Sequence, residues 1–285
     1  LEDIGRRCGC LAVGRGGGAC SLSMSSYETM LFTRDHGLAR ITLNRPHSGN
    51  ALSPIMCREL SEVVTAVDVD KSVQVLLIDA RGKLFCAGGD LAMQPTDPEE
   101  LERSFRAFSG LLHIAIARLV RLPVPVVIAV QGVAAGAGVS LACAGDLVLV
   151  GESARFTLAY TKAGLVPDGG ASWLLPRLVG LRRAQEMVFT NRVLTAEESV
   201  EWGLATRVVK DADLVRDAEA LARHIAAGPT GAYAAVKRLY SVSTTNSIET
   251  QMELESREIA AAAASADGRE GMLAFREKRV PRFGA

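Results

Sequence analysis

An α/β fold closed by a helical C-terminal region is predicted by three features of the sequence. Strand-like and helix-like segments alternate over the first two-thirds of the chain. Alternation at this spacing implies parallel strands joined by right-handed crossovers. The last third then carries helical patterns alone.

The elements follow in order. Segments 30–33 and 38–43 read as two strands around the turn Asp35-His36-Gly37. Ser53 caps a helix with Pro54 in its first turn, and Ile55, Leu60, Val63, Val64 and Val67 keep one apolar face to about Asp68. Segment 73–79 (VQVLLID) is a buried strand, and 85–90 (FCAGGD) a tight loop. A long helix covers 98–121, opening on Pro98-Glu99-Glu100, and a strand covers 126–130. Small residues 132–138 lead into a helical stretch at 139–144, a strand at 146–150 and a strand-like piece around Phe156. Helices are expected at 173–179, 182–190 and 196–202, with a strand at 207–209. Further helices cover 211–226, 229–241, 247–264 and 267–278. The organisation expected is a core over 24–225 and a helical region over 226–285. Residues 1–23 are rich in Gly, Arg and Cys, show no period and lack the apolar run of a secretory signal. They read as a disordered leader ahead of a natural start at Met24, the alternative being a transit peptide, since the segment is Arg-rich and acid-poor.

Composition narrows the function. The chain has 285 residues, 48% of them apolar, room for one large domain with a sizeable core. Thirty-two basic and 32 acidic residues cancel, which argues against nucleic-acid and membrane-surface partners. The longest apolar run, 119–130, is broken by Arg121, Pro123 and Pro125 and is too short to cross a bilayer. Cys8, Cys10 and Cys20 lie in the leader, while Cys57, Cys86 and Cys143 sit in apolar contexts. They read as reduced thiols of a cytoplasmic protein. His36, His47, His113 and His224 have no metal spacing and read as surface or structural.

The chemistry concentrates in 132–172. Gly136-Ala137-Gly138 is no dinucleotide fingerprint, because the third glycine would fall at Leu141. Small residues before a helix let a ligand approach the backbone and meet bare N–H groups. Asp168 stands at the glycine-rich end of the same stretch. Backbone donors plus one poised carboxylate are the parts that stabilise an enolate. Taken as a structural residue, Asp168 would instead cap the helix ahead of Trp173. Asp90 is read as fixing its loop, and Asp146 as satisfying backbone donors.

FCAGGDL, VVIAVQGVAAGAG, GDLVLVGESARF and GLVPDGG, in this order and spacing, resemble the crotonase (enoyl-CoA hydratase/isomerase) superfamily, and NRPHSGNALS and FREKRVPRF also fit. The likeness runs from Met30 to Phe283. It implies a spiral of ββα units, a C-terminal trimerisation region, and a homotrimer or dimer of trimers. It also implies an acyl-CoA thioester whose carbonyl is bound by the N–H groups of Gly89 and Ala137. The two glutamates of family hydratases fall at Ser140 and Tyr160, neither a carboxylate, and hydroxyls are poor bases at neutral pH. Asp168 matches the base position of dienoyl-CoA isomerases and of the ring-epoxide isomerases of phenylacetate degradation. The segment 134–180 is most similar to the latter. By the same likeness CoA runs along Arg45, Ala51, Cys86, Ala87 and Gly88, with Phe275 and Lys278 reaching it from the tail. Ser140 and Tyr160 then line the acyl end. The expectation is an acyl-CoA isomerase without metal or redox cofactor, coenzyme A being part of the substrate. The alternatives are an enoyl-CoA hydratase and a non-catalytic acyl-CoA-binding protein.

Overall fold

The computed structural model describes residues 25–284. The leader 1–23, with Cys8, Cys10, Cys20 and the proposed start at Met24, lies outside the described residues. The chain runs β1 (Ser25–Ser26), β2 (Met30–Asp35), β3 (Leu38–Leu43), α1 (Pro54–Val69), β4 (Val75–Ala80), α2 (Pro98–Arg121), β5 (Val126–Val130) and β6 (Val133–Ala135). It continues through α3 (Ala137–Cys143), β7 (Leu147–Gly151), β8 (Arg155–Thr157), α4 (Ala171–Val179), α5 (Leu181–Thr190), β9 (Leu194–Thr195) and α6 (Ala196–Glu201). It closes with β10 (Arg207–Val209), α7 (Leu214–Ala226), α8 (Thr230–Ser243), α9 (Ile248–Ala264) and α10 (Ala266–Glu277).

Two sheets organise these elements. The larger has the order β1-β2-β3-β4-β5-β7-β10, parallel from β3 to β10 with an antiparallel edge at β1 and β2. The smaller joins β6, β8 and β9. The units β5-β6-α3 and β7-β8-α4 each send one strand to each sheet before a helix. In the β4–α2 unit a single parallel bridge, Cys86 to Ala134, takes the place of the second strand. This repeated hand-off between sheets is the predicted ββα spiral, and it delivers three strand-to-helix turns to one region.

Side-chain alternation assigns the faces. Val75 and Leu77 of β4 pack with Val127, Ala129 and Leu149 against Leu214, Ala218 and Ala222 of α7. Leu76 and Ile78 point the other way, into the main core with Leu60 and Val64 of α1 and Leu112 and Leu119 of α2. Both faces of the sheet are therefore covered, as a parallel sheet requires. By contrast, α9 buries no residue and α10 only Ala274. No helix of the described residues is long and apolar enough to cross a membrane.

Helix starts follow local chemistry. The Ser53 hydroxyl accepts from the Met56 N–H at 3.2 Å. Thr195 and Glu198 exchange a reciprocal capping box at α6. Asp97, rather than the predicted Pro98-Glu99-Glu100, caps α2, accepting from Glu99 and Glu100 at 3.1 and 3.0 Å. An Asp side chain reaches those amides, whereas proline has no such acceptor. The helix expected from Asp211 begins at Leu214, after a 3₁₀ turn over Asp211–Asp213.

The loop after β3 is held by fully buried Asn50, at φ 54°. Its Oδ1 accepts from the Arg45 N–H at 2.8 Å, and its Nδ2 donates to the carbonyls of Arg81 and Leu84, each at 2.8 Å. Asn50→Ala strands these partners and puts alanine in the left-handed region. It should lower unfolding stability by about 3 kcal/mol, read from urea denaturation.

Candidate active site

The loop after β4 is pinned residue by residue. The Cys86 N–H donates to Val133 O at 3.2 Å, and the Ala135 N–H donates back to Cys86 O at 2.9 Å. The Ala87 N–H donates to Gly49 O at 2.9 Å. Leu52 grips both sides of Gly89, donating to Gly88 O at 2.7 Å and accepting from the Asp90 N–H at 2.9 Å. The Gly89 N–H itself has no hydrogen-bond acceptor among the described residues. Its nearest aromatic neighbour is Phe108, 3.5 Å from where a Cβ would stand.

Beside this loop α3 begins. Its N-cap is Gly136, at φ 51°, with no side-chain cap bond. The Ala137 N–H opens the helix and finds no acceptor among the described residues, as first-turn amides do. The two segments touch: a Cβ on Gly88 would lie 3.0 Å from Ala135 O and 3.5 Å from Gly136 Cα. Cys86 and Cys57 are buried thiols, each pushed up to about 12, chiefly by burial. Neither supplies a thiolate near neutral pH.

Arg45 and Asp90 brace the loop. The Arg45 guanidinium pairs with Asp90 at 3.0 Å and donates to Ala51 O at 2.6 Å. It is thus engaged within the loop. Asp146 accepts from the Val126 N–H at 2.7 Å and from Lys237 at 2.6 Å, the donor-satisfying role read from the sequence. Phe275 and Lys278 stand at the end of α10, with Phe275 86% exposed. No hydrogen bond or ion pair among the described residues links them to the Arg45–Asp90 loops.

Ser140, Tyr160 and Asp168 come together although 28 residues apart. The Tyr160 hydroxyl donates to Asp168 Oδ1 at 2.6 Å. The Ser140 hydroxyl donates to the Asp168 carbonyl at 2.9 Å and lies 3.5 Å from the Tyr160 oxygen. Burial, and then the charge of Asp168, push the Tyr160 phenol well above its ordinary value. Tyr160 is therefore a proton donor at working pH and no base. Asp168 Oδ2 has no hydrogen-bond partner among the described residues. Asp168 does not cap α4 with its side chain: the N-cap is Gly170, and only the Asp168 carbonyl is used, accepting from Ala171 at 3.1 Å.

One contact had no signal in the sequence. His113 Nε2 on α2 accepts from the Gly169 N–H at 3.2 Å. His113 is exposed, next to buried Leu112 on α2, and the residue it meets lies 56 positions away. Phe108 and Leu112, buried in the core, also touch the sites of Gly89 and Gly169. Among the described residues, no group of three or more His, Cys, Asp or Glu side chains is placed to hold a metal ion.

These parts can bind a carbonyl oxygen through backbone amides and can offer one carboxylate oxygen to a nearby proton. The family model described as Enoyl-CoA hydratase/isomerase matches residues 33–285. The chain is 40% identical over 260 residues to 1,2-epoxyphenylacetyl-CoA isomerase of Escherichia coli K12, covering 90% of this chain and 98% of that protein. The crystal structure of enoyl-CoA hydratase from Mycobacterium smegmatis superposes with TM-score 0.84 at 32% identity, covering 90% of this chain and 98% of the other. A relative from Thermobifida fusca YX, solved in complex with CoA, gives TM-score 0.76 at 31% identity, covering 83% and 93%.

Proposed function

The chain belongs to the enoyl-CoA hydratase/isomerase family, and from that premise we propose that it isomerises a CoA thioester with Asp168 as its single acid/base. The observation that carries this reading is the Tyr160–Asp168 bond of 2.6 Å. At the positions where the resemblance puts the two hydratase glutamates, this chain has hydroxyls, and both are committed to Asp168.

In the proposed reaction the thioester oxygen meets the Gly89 and Ala137 amides. Asp168 Oδ2 takes a proton from carbon, the electron pair passes to the carbonyl oxygen, and the enolate is held by the two N–H groups. Loss of one such donor typically costs ~3 kcal/mol of transition-state stabilisation. The same proton then returns to a different carbon, so substrate and product have one composition. The substrate proposed, by likeness to the Escherichia coli isomerase, is 2-(1,2-epoxy-1,2-dihydrophenyl)acetyl-CoA: the bond between its two epoxide carbons breaks as the ring double bonds shift, giving the seven-membered oxepin, and the proton taken from the carbon beside the thioester returns to a ring carbon. A Δ3,Δ2-enoyl-CoA shift uses the same parts. CoA is placed along Ala51, Cys86, Ala87 and Gly88, with Arg45 bracing that wall and Phe275 and Lys278 approaching from a C-terminal helix. Ser140 and Tyr160 line the acyl end. The protein needs no resident metal or redox cofactor in this scheme. A cytoplasmic trimer or dimer of trimers is proposed, and the nearly unburied α9 and α10 supply surface for it.

Incubation with the epoxide thioester, followed by chromatography and mass spectrometry, tests the assignment. A product of unchanged mass and new retention is expected. A product heavier by one water, or no turnover of epoxide and 3-enoyl thioesters alike, contradicts it.

A further inference from the structure

We propose that His113 is a positioning residue for Asp168, acting through the Gly169 peptide. The inference rests on the reading of Asp168 as the acid/base. Gly169 is buried and has φ 58°, and its N–H is accepted by His113 Nε2 at 3.2 Å. The His113 ring is exposed and the contact half-buried, and this ring is the acceptor that the Gly169 amide has among the described residues, so the contact helps decide where the peptide settles. No side chain fits at 169 between α3 and α2, because a Cβ there would stand 2.9 Å from Ser140 Cβ and 3.2 Å from Leu112 Cδ2.

The Asp168 turn is thus gripped at three points. Tyr160 holds the carboxylate, Ser140 holds the carbonyl, and His113 holds the following amide. The first two grips come from the same stretch of chain as Asp168. His113 is the grip from α2, the helix that also lays Phe108 against Gly89. One rigid helix therefore ties the carboxylate turn to the amide loop. A misplacement of about 1 Å at a reacting group can cost 10²-fold in rate. Because Nε2 accepts, any acceptor of similar reach can replace it, and a glutamine oxygen lies as many bonds from Cβ as Nε2 does.

The test is steady-state kinetics on His113→Leu, His113→Gln and Asp168→Asn, with melting temperatures. His113→Leu should lower kcat about 30-fold while KM stays within about threefold. His113→Gln, which returns an acceptor at the reach of Nε2, should recover most of the loss. Unchanged kcat in His113→Leu, or loss that His113→Gln does not relieve, overturns the inference. Should His113→Leu fail to fold, His113→Ala with His113→Gln gives the same comparison. Asp168→Asn separates the two ideas: if it stays active, the acid/base reading fails, whereas an inactive Asp168→Asn beside an unimpaired His113→Leu removes His113 alone.

Discussion

Asp168→Asn is expected to lower kcat for isomerisation by about 10²–10⁴-fold with little change in KM. The substitution keeps the shape of the side chain, and the Tyr160 hydroxyl can still donate to the oxygen left at Oδ1. What disappears is basicity at the second atom, since an amide nitrogen takes no proton. The fold should be indifferent, because α4 is capped by Gly170 and the Asp168 contribution to the helix is its backbone carbonyl. Steady-state kinetics beside a thermal melt therefore separates chemistry from folding. Near-native kcat in a folded variant would remove Asp168 from the mechanism.

Gly138→Ala is expected to have a comparable effect from the opposite side of the site. A Cβ at 138 would stand 2.9 Å from Cys86 Cβ and closer still to the Cys86 carbonyl oxygen. That carbonyl is the acceptor for Ala135, so the contact is with pinned backbone rather than a movable side-chain end. The loop carrying Gly89 must then move away from α3, and the two amides lose the common target proposed for them. We expect kcat/KM to fall about 10²-fold or more, with stability lowered by about 1–3 kcal/mol. Kinetics and urea denaturation of one preparation read both. Retention of full activity would mean that the spacing of the two segments does not govern catalysis.

Much of this arrangement is legible in the sequence because its causes are local. Ser53-Pro54 starts a helix by its own chemistry, and FCAGGD after an apolar strand reads as a tight loop wherever it occurs. The resemblance supplied the ββα spiral, which the family match and the solved relatives bear out. Long-range pairing is what local pattern does not carry. Tyr160 reads as a lost glutamate, yet its hydroxyl is aimed at Asp168 by the turn following β8. His113 reads as a surface or structural histidine and is indeed exposed, and only the crossing of α2 over Gly169 gives its ring a partner. The absent side-chain cap on α4 is likewise invisible from Asp168 alone, because two glycines at φ 58° and 77° turn the chain between them.

The central claim is that one carboxylate moves one proton and water takes no part. The most direct measurement is a pair of initial rates on the unmodified protein: conversion of a 3-enoyl-CoA to the 2-enoyl form, and hydration of crotonyl-CoA. The account predicts isomerisation at least about 100-fold more efficient than hydration, in keeping with the contribution of a single positioned acid/base. Hydration as fast as isomerisation would contradict it and return the chemistry to Ser140 and Tyr160.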